Sequence, residues 1–237
     1  VMILANNIVG LYNFRYELLE KLIEKDFEVY FSIPEDKNNE KVIELIDLGC
    51  KHIKTNVDRR GMNPLNDLKL IKQYKKIVKQ VKPDIILSFT IKPNIYGAYA
   101  AKKYKIPIIL NITGLGSGFY NNKTRFIIKN MYKFASKRAS FIFFENQEIY
   151  HYFIDNKLSI EEKSKVIPGA GVNLEKFVPQ KKSKDDNIIR FLFIGRIMKE
   201  KGIEEYLEAA KNIKNKYPNV EFQVLGPYEE EEYKQIL

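Results

Sequence analysis

Short apolar runs alternate with longer stretches of helical period through most of this chain, which restricts the fold to βαβ units around a parallel sheet. The runs that read as strands are 1–5, 28–33, 52–55, 85–89, 108–111 and 141–144, with a short one near 165–167. Helices are expected between them over 12–24, 40–48, 64–81, 95–104, 123–136 and 147–155. Asn63 ahead of Pro64 is a helix-start signal, a capping side chain followed by a residue whose missing N–H costs nothing in the first turn. The order of elements is that of a doubly wound α/β sheet.

The segment 179–187, PQKKSKDDN, is polar and has no hydrophobic period, so it reads as a linker. Beyond it the alternation restarts with a strand over 188–194, a glycine turn, a helix over 203–216 and a strand over 220–225. The expected organisation is a Rossmann-like domain over 1–178 and the start of a second over 188–237. A stretch of about fifty residues is too short to close a domain-sized sheet, so the second domain reads as truncated.

Composition narrows the class. Hydrophobic residues make up 45% and charged residues 30%, which suits a packed core rather than disorder. No run approaches the roughly 18 apolar residues of a membrane-spanning helix, and 1–5 lacks the basic flank of a signal peptide. The single cysteine, Cys50, allows no internal disulfide, and His52 and His151 are too sparse for a zinc site, so a reducing cytoplasmic compartment is expected. The net charge of +10 favours partners carrying phosphates or an anionic membrane surface. The aromatic residues sit in strand cores with no basic-aromatic surface motif, which argues against a nucleic-acid partner.

In open parallel sheets the ligand lies beyond the carboxyl ends of the strands, so the residues after each apolar run carry the chemistry. After the first run, Asn6 to Gly10 form a loop whose backbone N–H groups can approach a ligand, with Arg15 further along. Asp58-Arg59-Arg60 brings guanidinium groups suited to bidentate phosphate recognition. Ser88, Thr90, Lys92 and Asn94 cluster after the fourth run, and a lysine at a helix start is unfavourable unless an anion compensates it. Thr113-Gly114-Leu115-Gly116 opens a glycine-rich loop that does not follow the first strand, which rejects a dinucleotide fingerprint. Glu145-Asn146 follows four large apolar residues; Glu145 is a candidate general base, a holder of a sugar hydroxyl, or a helix cap.

The most specific motif lies in the second domain. There a strand ends in Gly195, and a loop carrying Arg196 and Lys201 leads into a helix, so cations and amides can converge on a diphosphate. Fixed cations there offset the charge that develops as a nucleoside diphosphate departs, with no metal or other cofactor required. The helix over 123–138 interleaves Lys123, Arg125, Lys129, Lys133, Lys137 and Arg138 with large apolar residues, a mix suited either to an anionic bilayer or to one packed and one solvated face.

On these residues the chain resembles a family 4 glycosyltransferase of the GT-B fold. Gly195-Arg196 with Lys201-Gly202 resembles the family's diphosphate-binding loop, and 166–173 with Phe177 resembles its interdomain segment. Arg59 with Asn63-Pro64, Lys92 with Asn94 and Gly97, and Gly114-Leu115-Gly116 resemble bacterial members that extend sugars on polyprenyl diphosphate. The resemblance implies two Rossmann-like domains, the second incomplete here, and a retaining transfer in the cleft from a UDP-sugar to a polyprenyl-diphosphate-linked saccharide. It implies donor binding by Gly195, Arg196 and Lys201. On the acceptor side it implies Gly10, Arg15, Arg59, Thr90, Lys92, Asn94, Gly114, Leu115, Gly116 and Asn146. Where many members have a histidine near the transferred sugar, Thr113 or Glu145 would stand as the catalytic candidate, or no side chain would, and the family's paired glutamates would lie beyond Leu237. Such an enzyme would sit peripherally at the inner face of the plasma membrane. Other readings of the same residues are a non-catalytic nucleotide- or anion-binding module and a UDP-sugar epimerase.

Overall fold

The computed structural model describes residues 1–58, 63–116, 119, 122–179, 187–228 and 231–234. The chain divides into two compact units, Val1–Phe177 and Val178–Leu237. In the first, strands β1 (Met2–Leu4), β2 (Tyr30–Ile33), β3 (Lys51–Lys54), β4 (Ile86–Phe89), β5 (Ile108–Ile112), β6 (Phe141–Phe144) and β7 (Ser164–Val166) form one sheet in the order β3-β2-β1-β4-β5-β6-β7. Every pairing is parallel; Leu4 lies beside Ser32 on one side and Ser88 on the other.

The connecting helices are α1 (Ile8–Glu24), α2 (Glu40–Asp47), α3 (Pro64–Val81), α4 (Ile91–Tyr104), α5 (Asn122–Arg138) and α6 (Gln147–Asp155). Successive strand residues point to opposite faces. Met2 and Leu4 accordingly join the core beneath α3, α4, α5 and α6, while Ile3 and Ala5 join the core beneath α1 and α2. With both faces covered, the inner strands β1, β4 and β5 are largely buried, which explains why they are apolar without alternation, whereas the edge strands β3 and β7 expose Lys51, Lys54 and Lys165.

Two helices begin a turn earlier than their periodicity suggests. The first starts at Ile8 because Asn7 caps it, its Oδ1 accepting from the Gly10 N–H at 2.7 Å, and Ile8, Leu11, Arg15 and Leu19 then share the buried face. The fourth starts at Ile91, four residues before the expected 95, because Pro93 falls in the first turn, where no N–H is required. Gly97 lets α4 lie close on the sheet: a Cβ there would meet Leu4 Cδ1 at 2.7 Å.

In the second unit, β8 (Ile189–Ile194) and β9 (Val220–Leu225) pair in parallel around α7 (Ile203–Lys214). One sheet face carries Phe193 and Val224 beneath Tyr206 and Leu207 of α7, whereas Leu192, Ile194 and Leu225 on the other face are exposed. Among the described residues no helix is long and apolar enough to cross a membrane.

On β3, His52 packs against Phe31, their ring centroids 5.1 Å apart. Burial, reinforced by Lys37, pushes its imidazole below the usual range. The fold therefore favours the neutral ring, and the resulting stability is present above about pH 6.5, the ordinary imidazole pKa, and lost as pH falls through the lower folded value. Replacing His52 with Phe should flatten the pH dependence of the urea midpoint just below about pH 6.5, leaving the region above it unchanged.

Candidate functional site

The strand order reverses between β1 and β4: the chain leaves β1 for α1 on one face and β4 for α4 on the other. The carboxyl ends of these strands therefore open a crevice. Around it, three positions of positive charge or positive dipole each meet a carboxylate of the protein itself.

The first is the start of α1. Asn7 caps it, Asn7 Nδ2 donates to Asn6 Oδ1 at 2.6 Å, and Glu35 Oε2 accepts from the Ile8 N–H at 3.0 Å. The Gly10 amide, expected to face a ligand, donates to the Asn7 cap. Glu35 follows β2 and carries no signal in the sequence that would join it to α1.

The second is Lys92, in the first turn of α4. Its ammonium meets Asp67 Oδ1 at 2.7 Å, with both side chains largely buried. The anion that a lysine at a helix start requires is thus supplied by the first turn of α3. Burial and then Asp67 push the nearby Tyr96 phenol up.

The third is Arg15, which reaches over the carboxyl edge from α1. Its Nη2 pairs with Glu145 at the end of β6, its Nη1 donates to the Phe14 carbonyl at 2.8 Å, and its guanidinium lies 4.7 Å from the centroid of Phe89. The side chains are only 10% and 18% exposed. Glu145 is not a helix cap: Asn146 caps α6, accepting from the Ile149 N–H at 2.8 Å.

Between Phe89 and Lys92 the backbone is strained. Thr90 holds φ 72° and ψ 167°, a region essentially reserved for glycine, at a cost of about 1–3 kcal/mol. Its buried Oγ1 finds no hydrogen-bond partner among the described residues and does not cap α4. A polar network holds this turn from below. Ser88 Oγ donates to Asn94 Oδ1 at 2.7 Å, Asn94 Nδ2 to the Asn111 carbonyl at 2.9 Å, and Asn111 Nδ2 to the Ser88 carbonyl at 3.2 Å. Asn94, expected on the acceptor side, is fully buried and ties β4, β5 and α4 together.

The glycine-rich loop divides by function. Gly116 holds φ 71°, a conformation that a side chain would strain, whereas Gly114 has open space around it. Leu115 packs on the main core and Thr113 is exposed. Arg59 lies outside the described residues. Two open depressions of about 380 and 340 Å³ flank the same edge, one lined by Asn56, Asp58, Asn66, Lys69 and Gln73, the other by Ile8, Val9 and 38–41.

In the second unit the loop after β8 is pinned to the end of β9. The Gly195 N–H donates to the Leu225 carbonyl at 3.1 Å and the Ile197 N–H to the Pro227 carbonyl at 2.8 Å. Gly226 admits no side chain, since a Cβ would fall 1.7 Å from the Gly195 oxygen. Arg196 and Lys201 are exposed on this loop, and Gly202, at φ 80°, opens α7 with no side-chain cap. Glu204 in the first turn is held by Lys199 at 3.2 Å and accepts from the Tyr233 hydroxyl at 3.0 Å, contacts that lower its pKa.

A doubly wound first unit, followed by a strand–glycine–cation loop opening a second parallel unit, defines a GT-B protein. The glycosyl transferase 4-like family matches residues 5–146, and the chain belongs to it; glycosyl transferases group 1 match residues 175–237. Among relatives, the N,N'-diacetylbacillosaminyl-diphospho-undecaprenol alpha-1,3-N-acetylgalactosaminyltransferase of Campylobacter jejuni is 34% identical over 224 residues. That match covers 87% of this chain and 58% of the relative, so the chain spans little more than half the relative's length. HepE of Anabaena, solved with UDP and glucose, superposes with a TM-score of 0.70 at 16% identity, covering 99% of this chain and 63% of that one. A UDP-N-acetylglucosamine 2-epimerase superposes with a TM-score of 0.63 at 14% identity, covering 93% and 62%. The fold is therefore shared with an epimerase, and does not by itself separate transfer from epimerisation.

Thr90→Gly should raise stability by about 1 kcal/mol, since relief of the strained φ exceeds the flexibility glycine adds to the unfolded chain. Asn94→Ala should lower it by about 2–3 kcal/mol by orphaning buried partners. Urea denaturation reads both.

Proposed function

We propose that the protein is a retaining glycosyltransferase that moves a hexose or N-acetylhexosamine from a UDP-sugar to a polyprenyl-diphosphate-linked saccharide, in assembly of a surface polysaccharide or glycoprotein glycan. The observation that carries this reading is the loop between β8 and α7. Gly226 fixes its path against Gly195, Arg196 and Lys201 sit on it, and it ends at a helix start without a side-chain cap. Departure of UDP places growing negative charge on a phosphate oxygen, and fixed cations with the positive end of α7 stabilise that charge more in the transition state than in the bound sugar nucleotide.

The first unit then takes the acceptor. Its crevice presents Arg15, Lys92 and the uncapped start of α4, donors suited to a second diphosphate, with Thr113, Gly114 and Gly116 on the adjoining loop. The diphospho-undecaprenol in the name of the Campylobacter relative supports an acceptor of this chemistry, and the relative's role as a transferase favours transfer over epimerisation.

An acceptor anchored in lipid brings the enzyme to the cytoplasmic membrane face. The first half of α5 suits that surface, with Phe126 and Ile127 exposed at 71% and 52% beside basic residues.

Arg196→Ala with Lys201→Ala should lower kcat/KM by about a hundredfold or more, the scale seen when donors to a developing charge are removed. UDP release with product mass, across UDP-sugars and polyprenyl-diphosphate acceptors, measures it. Unchanged turnover would remove the donor assignment.

A further inference from the structure

Arg15 and Glu145 lie 130 residues apart in sequence yet form a largely buried ion pair at the crevice. Resting on the reading of this crevice as the acceptor site, we propose that Glu145 is a specificity-determining counter-ion. It occupies Arg15 in the resting protein, and an incoming diphosphate displaces it where a monophosphate does not.

The geometry favours exchange over simple addition. Arg15 does not depend on Glu145 for its position, because the Phe14 carbonyl and the face of Phe89 hold it on two other sides. What Glu145 adds is a negative charge at the place where the ligand's negative charge must go. A guanidinium offers bidentate recognition to carboxylate and phosphate alike, so an anion that takes only the place of Glu145 exchanges like for like. It also leaves a partly buried carboxylate without its partner, which is costly. A monophosphate therefore gains little.

A diphosphate differs in having a second charged group. Phe89, which carries the guanidinium on its ring, is followed directly by Thr90 and the start of α4. That start has no side-chain cap, Thr90 Oγ1 has no partner among the described residues, and Lys92 stands in the first turn. One phosphoryl group on Arg15 thus leaves the other within reach of the positive end of α4. The second contact offsets the loss of the ion pair, and Glu145 thereby sets a charge threshold that admits diphosphates.

The test titrates the 237-residue chain by calorimetry with inorganic pyrophosphate and with inorganic phosphate. Arg196→Ala and Lys201→Ala are present throughout, so that the second unit does not contribute. With Glu145 in place, pyrophosphate should bind at least about tenfold more tightly than phosphate, in keeping with the strength of paired charge contacts. Glu145→Gln should tighten both anions and narrow the ratio, phosphate gaining about fivefold or more once the like charge is gone. Weaker or unchanged binding of both anions in Glu145→Gln would overturn the proposal, since Glu145 would then be holding Arg15 in place or playing no part. Arg15→Gln in the Glu145→Gln background addresses the underlying reading separately: if it binds pyrophosphate as tightly as Glu145→Gln alone, the anion is not at Arg15 and the acceptor assignment fails. Should Glu145→Gln fail to fold, Glu145→Ala carries the test, because it too removes the like charge. It must also bind phosphate more tightly, and weaker or unchanged binding overturns the proposal.

Discussion

A parallel sheet buried on both faces is the constraint from which the rest of the first unit follows. With cores on either side of β1 and β4, no polar side chain can leave the middle of a strand without losing its water, so chemistry is driven to the strand ends. Ser88 shows the limit of what the interior tolerates. It is fully buried in β4, and its hydroxyl is accepted only because Asn94 and the Ile109 carbonyl complete its hydrogen bonds. The same network clamps the turn that carries Thr90, so the buried polar groups serve the edge by holding it still.

At that edge the protein meets its own positive ends with its own carboxylates. Glu35 faces the first amide of α1, Asp67 faces Lys92, and Glu145 faces Arg15. The crevice is thus a set of partnered charges rather than an open basic patch, and a ligand competes with carboxylates as well as with water. The strained, uncapped start of α4 is the exception; it carries Lys92 and directly follows Phe89, the ring that Arg15 rests on. The loop after β8 is built differently: backbone contact between Gly195 and Gly226 sets its path, while Arg196 and Lys201 stand exposed upon it.

Much of this architecture was legible in the chain. The start of α3 at Pro64 followed from Asn63, and β6 and α6 fall where hydrophobicity places them, because each depends on contacts within a few residues. The early start of α1 was missed, since Asn6 to Gly10 read as loop, and only the Asn7–Gly10 bond shows that Asn7 is a cap. The strand-end chemistry was visible as residue types, but the roles of Asn94 and Glu145 were not. An amide looks the same in a sequence whether it faces a ligand or closes a buried network, and a carboxylate after a strand gives no sign of the arginine it will meet.

Periodicity and local caps thus determined the class of fold, the order of the helices with most of their extents, and the glycine–cation loop of the second unit, because these are short-range properties written in consecutive residues. Only the tertiary structure decided which charges are partnered. Ion pairing depends on distance through space, and the folding of seven strands into one sheet brings Arg15 against a carboxylate that the linear chain places 130 residues away.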